Sequence, residues 1–156
     1  MMKILFAGMA LTLFRTDLAV KQEIEELPEN SGEHRLPGGF AGIQRLHNYG
    51  LAGGRWTGHM TGIVRGTALV TGGCIAFFLR LLTKPGQSVR TMGVALLTGG
   101  ALSNLYDRCR RGYVVDYIRF HTPFKWLNRL VFNLADFLIF IGAFLVCLGN
   151  GGHSQG

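Results

Sequence analysis

The 156-residue chain is 48% hydrophobic and only 16% charged, with a mean hydropathy of +0.26. That balance argues against an ordinary soluble domain and for a bilayer as solvent, in a chain short enough for one domain. The net charge of +7 comes from sixteen Lys and Arg scattered between apolar runs, with only Arg108, Arg110 and Arg111 clustered; this suits membrane-edge anchors better than a phosphate-tracking stripe for nucleic acid.

The first apolar run, Ile4 to Phe14, lies between Lys3 and Arg15. By length alone it fits a signal-peptide core, but a helix continuing to about Val20 reaches spanning length, and retention is the favoured reading. It also sets Asp17 and Lys21 one turn apart on one face, where the bland alternative is a solvated pair at a helix end. From Gln22 to Arg45 the composition turns to Glu, Pro, Gly, Ser and Asn and reads as a water-exposed loop. His47 and Asn48 follow, read in isolation as loop residues, and then a glycine-rich connection runs to Trp56 and His59.

Three more apolar segments follow: Gly66 to Leu82, Thr91 to Tyr106, and Val131 to Gly149. Four spans result, at approximately 3–21, 64–82, 89–106 and 131–149, forming a single domain over 1–156. The Leu81–Arg90 connection holds Lys84, Pro85 and Arg90 and no acid, whereas the first loop holds all five glutamates. This places the second connection and both termini in the cytoplasm, although the outer Arg108–Arg129 connection is itself basic. Within that connection Tyr113 to Phe120 is rich in β-branched and aromatic residues and predicts a strand. It could serve as a platform for an extended peptide, or as an interfacial loop anchored at headgroup level by Tyr113, Tyr117, Phe124 and Trp126.

The acids are segregated. Besides the five glutamates the chain has only Asp17, Asp107, Asp116 and Asp136, all in or beside apolar sequence. A carboxylate at membrane depth costs roughly 2.5 kcal/mol or more on insertion scales, which makes such acids functional candidates. No nucleophile elbow, Cys–His motif or His-Glu-x-x-His site is present, and Cys74, Cys109 and Cys147 have neither disulfide-framework nor zinc spacing. No metal or cofactor is expected. Two carboxyls in a partly dry site can share one proton and hydrolyse an amide through water. Buried acids also serve proton relays and transporters.

Gly99-Gly100-Ala101-Leu102-Ser103-Asn104-Leu105-Tyr106-Asp107-Arg108, then Gly112-Tyr113-Val114-Val115-Asp116, then Phe132-Asn133-Leu134-Ala135-Asp136 together resemble the motifs of signal peptidase II, the lipoprotein signal peptidase. Asp17 and Lys21 resemble its Asp-x-x-x-Lys, and Asn48-Tyr49-Gly50 its Asn-x-Gly stretch. The resemblance implies a membrane all-α protein with a small β element: four transmembrane helices plus an extracytoplasmic β platform, in the bacterial cytoplasmic membrane. It implies an aspartic endopeptidase that removes signal peptides from prolipoproteins, cutting before a cysteine bearing diacylglycerol. Asp116 and Asp136 match its catalytic pair; Asp17, Lys21, Asn48, Asn104, Arg108 and Asn133 match supporting or substrate-contacting positions. Asp107 reads as a partner of Arg108 or Arg111. The implied partners are prolipoproteins and membrane lipids, with no nucleic acid. Leu51-Ala52-Gly53-Gly54 replaces the family's usual Ala-Ala-Phe, and Ser103 replaces a common glycine. The alternatives are an inactive homologue and a small proton-coupled transporter.

Overall fold

The computed structural model describes residues 2–28, 31–50 and 59–150. Four helices, α1 (Met2–Glu25), α2 (Met60–Leu82), α3 (Ser88–Arg110) and α4 (Leu134–Asn150), are joined to four strands, β1 (His34–Arg35), β2 (Ala41–Asn48), β3 (Val114–Phe120) and β4 (Val131–Phe132). The fold is mostly helical with one small antiparallel sheet in the order β1-β2-β3-β4.

Helix α3 is the hub, packing on α1, α2 and α4. Arg90 lies beside Gly149 and Gly100 beside Ala135, so α3 and α4 run antiparallel. A Cβ built on Gly100 would stand 2.5 Å from the Ala135 carbonyl oxygen; the helices touch backbone to backbone here, and any larger residue forces them apart. One turn beyond Gly100, the same face of α3 carries Asn104 towards the start of α4. The face turned to α1 carries Ser103 and Asp107, both fully buried. Between α1, α2 and α3 the apolar core consists of Ala10, Phe78, Leu81, Val94 and Ala95.

Two residues past the end of α3 stands Gly112, whose φ of +80° is the left-handed conformation that follows helix ends and that glycine adopts without a Cβ penalty. The chain turns back through it into β3. Val115 and Tyr117 pack on Ile24 of α1, and strand alternation puts Asp116 on the opposite face.

The region read from sequence as an exposed loop instead forms the end of α1 and the β1–β2 hairpin. Strand β2 pairs with β3 through Ile43↔Ile118 and then Leu46↔Asp116, so three steps on β2 match two on β3. This bulge resets the alternation. Asn48 falls opposite Val114, on the face shared with Asp116; without the extra residue its side chain would point to the other face. The fourth apolar segment also starts later than expected. Val131 and Phe132 pair with Arg119 and Ile118 in the sheet, and α4 begins only at Leu134.

Among the described residues, one helix, Met60–Leu82, is long and apolar enough by length and composition to cross a membrane, and Leu134–Gly149 is a shorter apolar helix. The charges Arg15, Asp17 and Lys21 lower the apolar character of α1, and Thr, Ser, Gly and Asn that of α3. Large apolar side chains nevertheless face outward on every helix, including Ile4 and Leu5 on α1, Leu69 and Val70 on α2, Val89 on α3, and Phe140 and Phe144 on α4.

Candidate active site

Two clusters of carboxylates meet where α1, α3, β3 and the start of α4 converge. The inner one is closed. Asp17, Lys21 and Asp107 all have no solvent exposure, and Lys21 Nζ lies 2.7 Å from Asp17 and 3.0 Å from Asp107. Arg111 lies 2.9 Å from Asp107 on the other side, so two buried carboxylates face two cations. Further donors complete the shell. Asp17 accepts from Ser103 Oγ at 2.5 Å, from the Ala135 backbone N–H at 3.2 Å and from Tyr117 Oη at 3.3 Å, and Asp107 accepts from the Val115 N–H at 3.3 Å. The Tyr117 hydroxyl in turn accepts from the Leu134 N–H at 3.0 Å; burial beside Asp17 keeps this phenol protonated well above its usual range. The network fastens α1, α3, β3 and α4 to one another.

The outer cluster is built with amides. Asn133 caps α4: its side-chain oxygen accepts from the Asp136 N–H at 3.0 Å, and the Asp136 carboxylate accepts from the Asn133 N–H at 3.1 Å. This is a capping box with Asn and Asp in place of the usual Ser/Thr and Glu/Gln, and it fixes the Asp136 rotamer. The Asn133 amide then donates to Asp116 Oδ1 at 2.7 Å, while Asn48 donates to Oδ2 at 2.9 Å. Asn104 links the clusters. Lys21 has only donors, so the Asn104 oxygen must face its Nζ, at 3.0 Å, which turns the amide nitrogen to Asp136 at 3.0 Å.

Asp116 and Asp136 line one cavity of ≈ 100 Å³ together with Asn48, Asn104, Arg108 and Phe140. Arg108 holds its place by donating to the backbone carbonyls of Asn104 at 3.1 Å and Gly50 at 3.4 Å. Asp116 is 3% exposed. Burial pushes its carboxyl up from the ordinary 3.8 to about 7, with the nearby Asp136 charge adding to the rise and the Asn48 and Asn133 hydrogen bonds opposing it. Among the described residues no cation is bonded to it. A carboxyl whose neutral form persists near neutrality, beside a second carboxyl, is equipped for general acid–base chemistry on a group entering the cavity.

Of the sequence-derived candidates, Asn48, Asn104, Arg108, Asp116 and Asp136 border the cavity. Asn133 supports it from behind. Asp17 and Lys21 lie in the closed cluster without access to a ligand, and the alternative of a solvated helix-end pair is excluded by their burial. Asp107 pairs with Lys21 and Arg111 rather than Arg108. Tyr117, expected among headgroup-level anchors, is buried at 4% exposure, whereas Phe124 and Trp126 are exposed. His47 is not a loop residue: it lies 3.1 Å from Glu25 and stacks on Tyr113 at 4.1 Å. The departure at Leu51–Gly54, and Trp56, lie outside the described residues. Ser103 proves to be an internal member of the Asp17–Lys21 network. The capping box was legible in the Asn-x-x-Asp spacing before an apolar run, a signal the motif reading passed over.

The family model described as "Signal peptidase (SPase) II" matches residues 9–150. A lipoprotein signal peptidase of Mesorhizobium japonicum is 43% identical over 110 residues, 69% of this chain and 62% of that protein. One from Brucella ovis is 43% identical over 113 residues, 70% of this chain and 66% of that protein. The match thus spans just under two thirds of the length of these curated relatives. A bacterial membrane enzyme solved by the in meso method at 2.3 Å resolution superposes with a TM-score of 0.78 at 25% identity, covering 98% of this chain and 91% of that one. A second, at 1.9 Å resolution, gives 0.74, again at 25% identity, over 97% and 94%. With a family model covering nearly the whole chain and relatives of this similarity, the chain belongs to the signal peptidase II family.

Proposed function

We propose that this protein is an aspartic endopeptidase of the bacterial cytoplasmic membrane. It removes signal peptides from prolipoproteins, cutting before a cysteine that carries diacylglycerol. The observation that carries this reading is the cavity where Asp116 and Asp136 meet, each held by neutral amides and both tied to Asn133. Asp136, ionised, takes a proton from an attacking water; Asp116, protonated, donates a hydrogen bond to the scissile carbonyl as it gains negative charge. Burial, which raises the Asp116 pKa to about 7, suits Asp116 to the role of donor. Asn48 and Asn133 orient Asp116, and Asn104 and the capping box orient Asp136. Collapse of the tetrahedral intermediate expels the amine with a proton, and no covalent enzyme intermediate forms.

The reading includes four spans, all within the single domain. At 1.5 Å per residue, α1 to α3 are each about 35 Å long and α4 about 25 Å; Asp17 and Lys21 of α1 and Thr98, Ser103, Asn104 and Asp107 of α3 are buried, while large apolar side chains face out. The sheet and dyad then lie at the extracytoplasmic face, with both termini in the cytoplasm. The diacylglyceryl group concentrates substrate in the bilayer, since each buried methylene contributes about 0.8 kcal/mol.

The test is incubation of purified protein with lipidated and unlipidated precursor in detergent, followed by gel shift. Cleavage of the lipidated precursor alone is expected. Equal cleavage of both removes the lipid requirement, and cleavage of neither removes the peptidase reading.

A further inference from the structure

A second cavity, of ≈ 290 Å³, adjoins the dyad between α2, α3 and α4, lined among others by Thr67, Thr71, Ala101, Asn104, Arg108 and Ile139. Asn104 and Arg108 border both cavities. Its polar lining is unusual in one respect. Thr67, Thr91 and Thr98, like most helical threonines in apolar surroundings, turn their hydroxyls back onto the carbonyl four residues earlier, at 2.7, 2.8 and 2.8 Å. Thr71 is 1% exposed, yet its Oγ1 has no partner among the described residues. Arg108 Nε is likewise buried and has no partner among the described residues, although the terminal nitrogens of the same guanidinium are bonded. Thr71 and Arg108 therefore each bring an unused buried donor to the wall of one cavity beside the dyad, while the other polar groups there are committed, the Thr67 hydroxyl to the Ile63 carbonyl and the Asn104 amide to Lys21, Asn133 and Asp136.

Buried polar groups without a partner in the free protein are groups that a ligand can satisfy. Arg Nε–H can only donate and Thr O–H donates readily, so the complementary group is an acceptor oxygen. Asp116 and Asp136 next door disfavour an anion. We propose that Thr71 and Arg108 Nε form a polar subsite that holds a neutral carbonyl oxygen of the substrate, making Thr71 a specificity-determining residue. The inference rests on the peptidase reading above. The carbonyl has two possible sources in that substrate: the fatty-acyl ester of the glyceryl group, or a backbone amide next to the cut.

The experiment compares wild type, Thr71→Val, which keeps shape and removes the hydroxyl, and Thr71→Ser, which restores it. Each is given lipopeptides with ester-linked or ether-linked chains, the latter lacking the acyl carbonyl. KM and kcat are measured, and the Kd of dye-labelled lipopeptides is read by anisotropy with and without Asp136→Asn, so binding is scored without turnover. Thr71→Val is expected to raise KM and Kd for the ester substrate about 3- to 10-fold, the worth of one neutral hydrogen bond, with kcat unchanged and Thr71→Ser close to wild type. If the ester is the acceptor, wild type shows the same loss on the ether substrate and Thr71→Val adds nothing there. If the backbone is the acceptor, the loss is equal on both. Either pattern supports the subsite. Unchanged KM and Kd in Thr71→Val, or an equal loss in Thr71→Ser, overturns it. Tight binding without cleavage by wild type defeats the peptidase reading alone and leaves the Kd series to decide on Thr71; no binding by wild type defeats both.

Discussion

The two carboxylate clusters lie side by side, drawn from the same elements, yet they are built for opposite ends. Around Asp17 and Asp107 every charge is met by Lys21 or Arg111 at 3.0 Å or less, and solvent is excluded. Around Asp116 and Asp136 the bonded partners are the amides of Asn48, Asn104 and Asn133 and a backbone N–H, beside a cavity. The inner carboxylates are matched charge for charge, whereas the amides of the outer cluster orient their carboxylates without neutralising them. The comparison assigns stability to the first cluster and chemistry to the second, and each assignment can be broken separately.

The largest expected effect is on turnover. Asp116→Asn and Asp136→Asn each keep side-chain size and remove a proton-transfer group, so kcat on lipidated precursor should fall by about a thousandfold or more, with the melting midpoint within a few degrees of wild type. Lys21→Met should do the reverse in kind. It leaves two buried carboxylates facing a single cation, and breaking such a pair costs about 3–5 kcal/mol, measurable as a fall in denaturation midpoint in detergent. A Lys21→Met protein as stable as wild type would refute the structural role of the inner cluster.

Asn133→Ala removes both the cap of α4 and a donor to Asp116. Loss of the cap should cost about 1 kcal/mol, with a drop in kcat of about tenfold or more as Asp116 loses its orientation; a purely stabilising role would leave kcat unchanged in the folded fraction. The smallest effect is on pH dependence. The folded Asp116 carboxyl, at about 7 against an ordinary 3.8, favours the protonated form. Its contribution to stability is therefore present at low pH and is lost as pH rises from about 4 through 7. In the proposed mechanism the protonated form is also the one that acts, so kcat/KM should fall about tenfold per unit above pH 7.

Much of this was legible in the sequence. Apolar runs marked the helices, and Asp116, Asp136, Asn104 and Asn133 stood in motifs whose spacing survives any detail of packing. The hairpin was not legible, because β1 is only His34–Arg35 and the bulge in β2 breaks the alternation that would have revealed it. The late start of α4 escaped for a related reason: Val131 and Phe132 are apolar in a strand as in a helix, and periodicity cannot separate the two at that length. The Asp17–Lys21 pair could be placed on one face from its spacing, but its burial depends on Ser103, Asp107 and Tyr117, residues 82 to 100 positions away in the chain. Thr71 gives no signal at all in sequence, where it is one threonine among many; only its missing partner distinguishes it.

The most direct test of the account is carboxyl difference infrared spectroscopy of the purified protein as a function of pH. The account predicts a protonated-carboxyl band at pH 6 that titrates away as pH rises through about 7, is absent in Asp116→Asn and persists in Lys21→Met protein that remains folded. A band that survives Asp116→Asn unchanged, or the lack of any protonated carboxyl at pH 6, would contradict it.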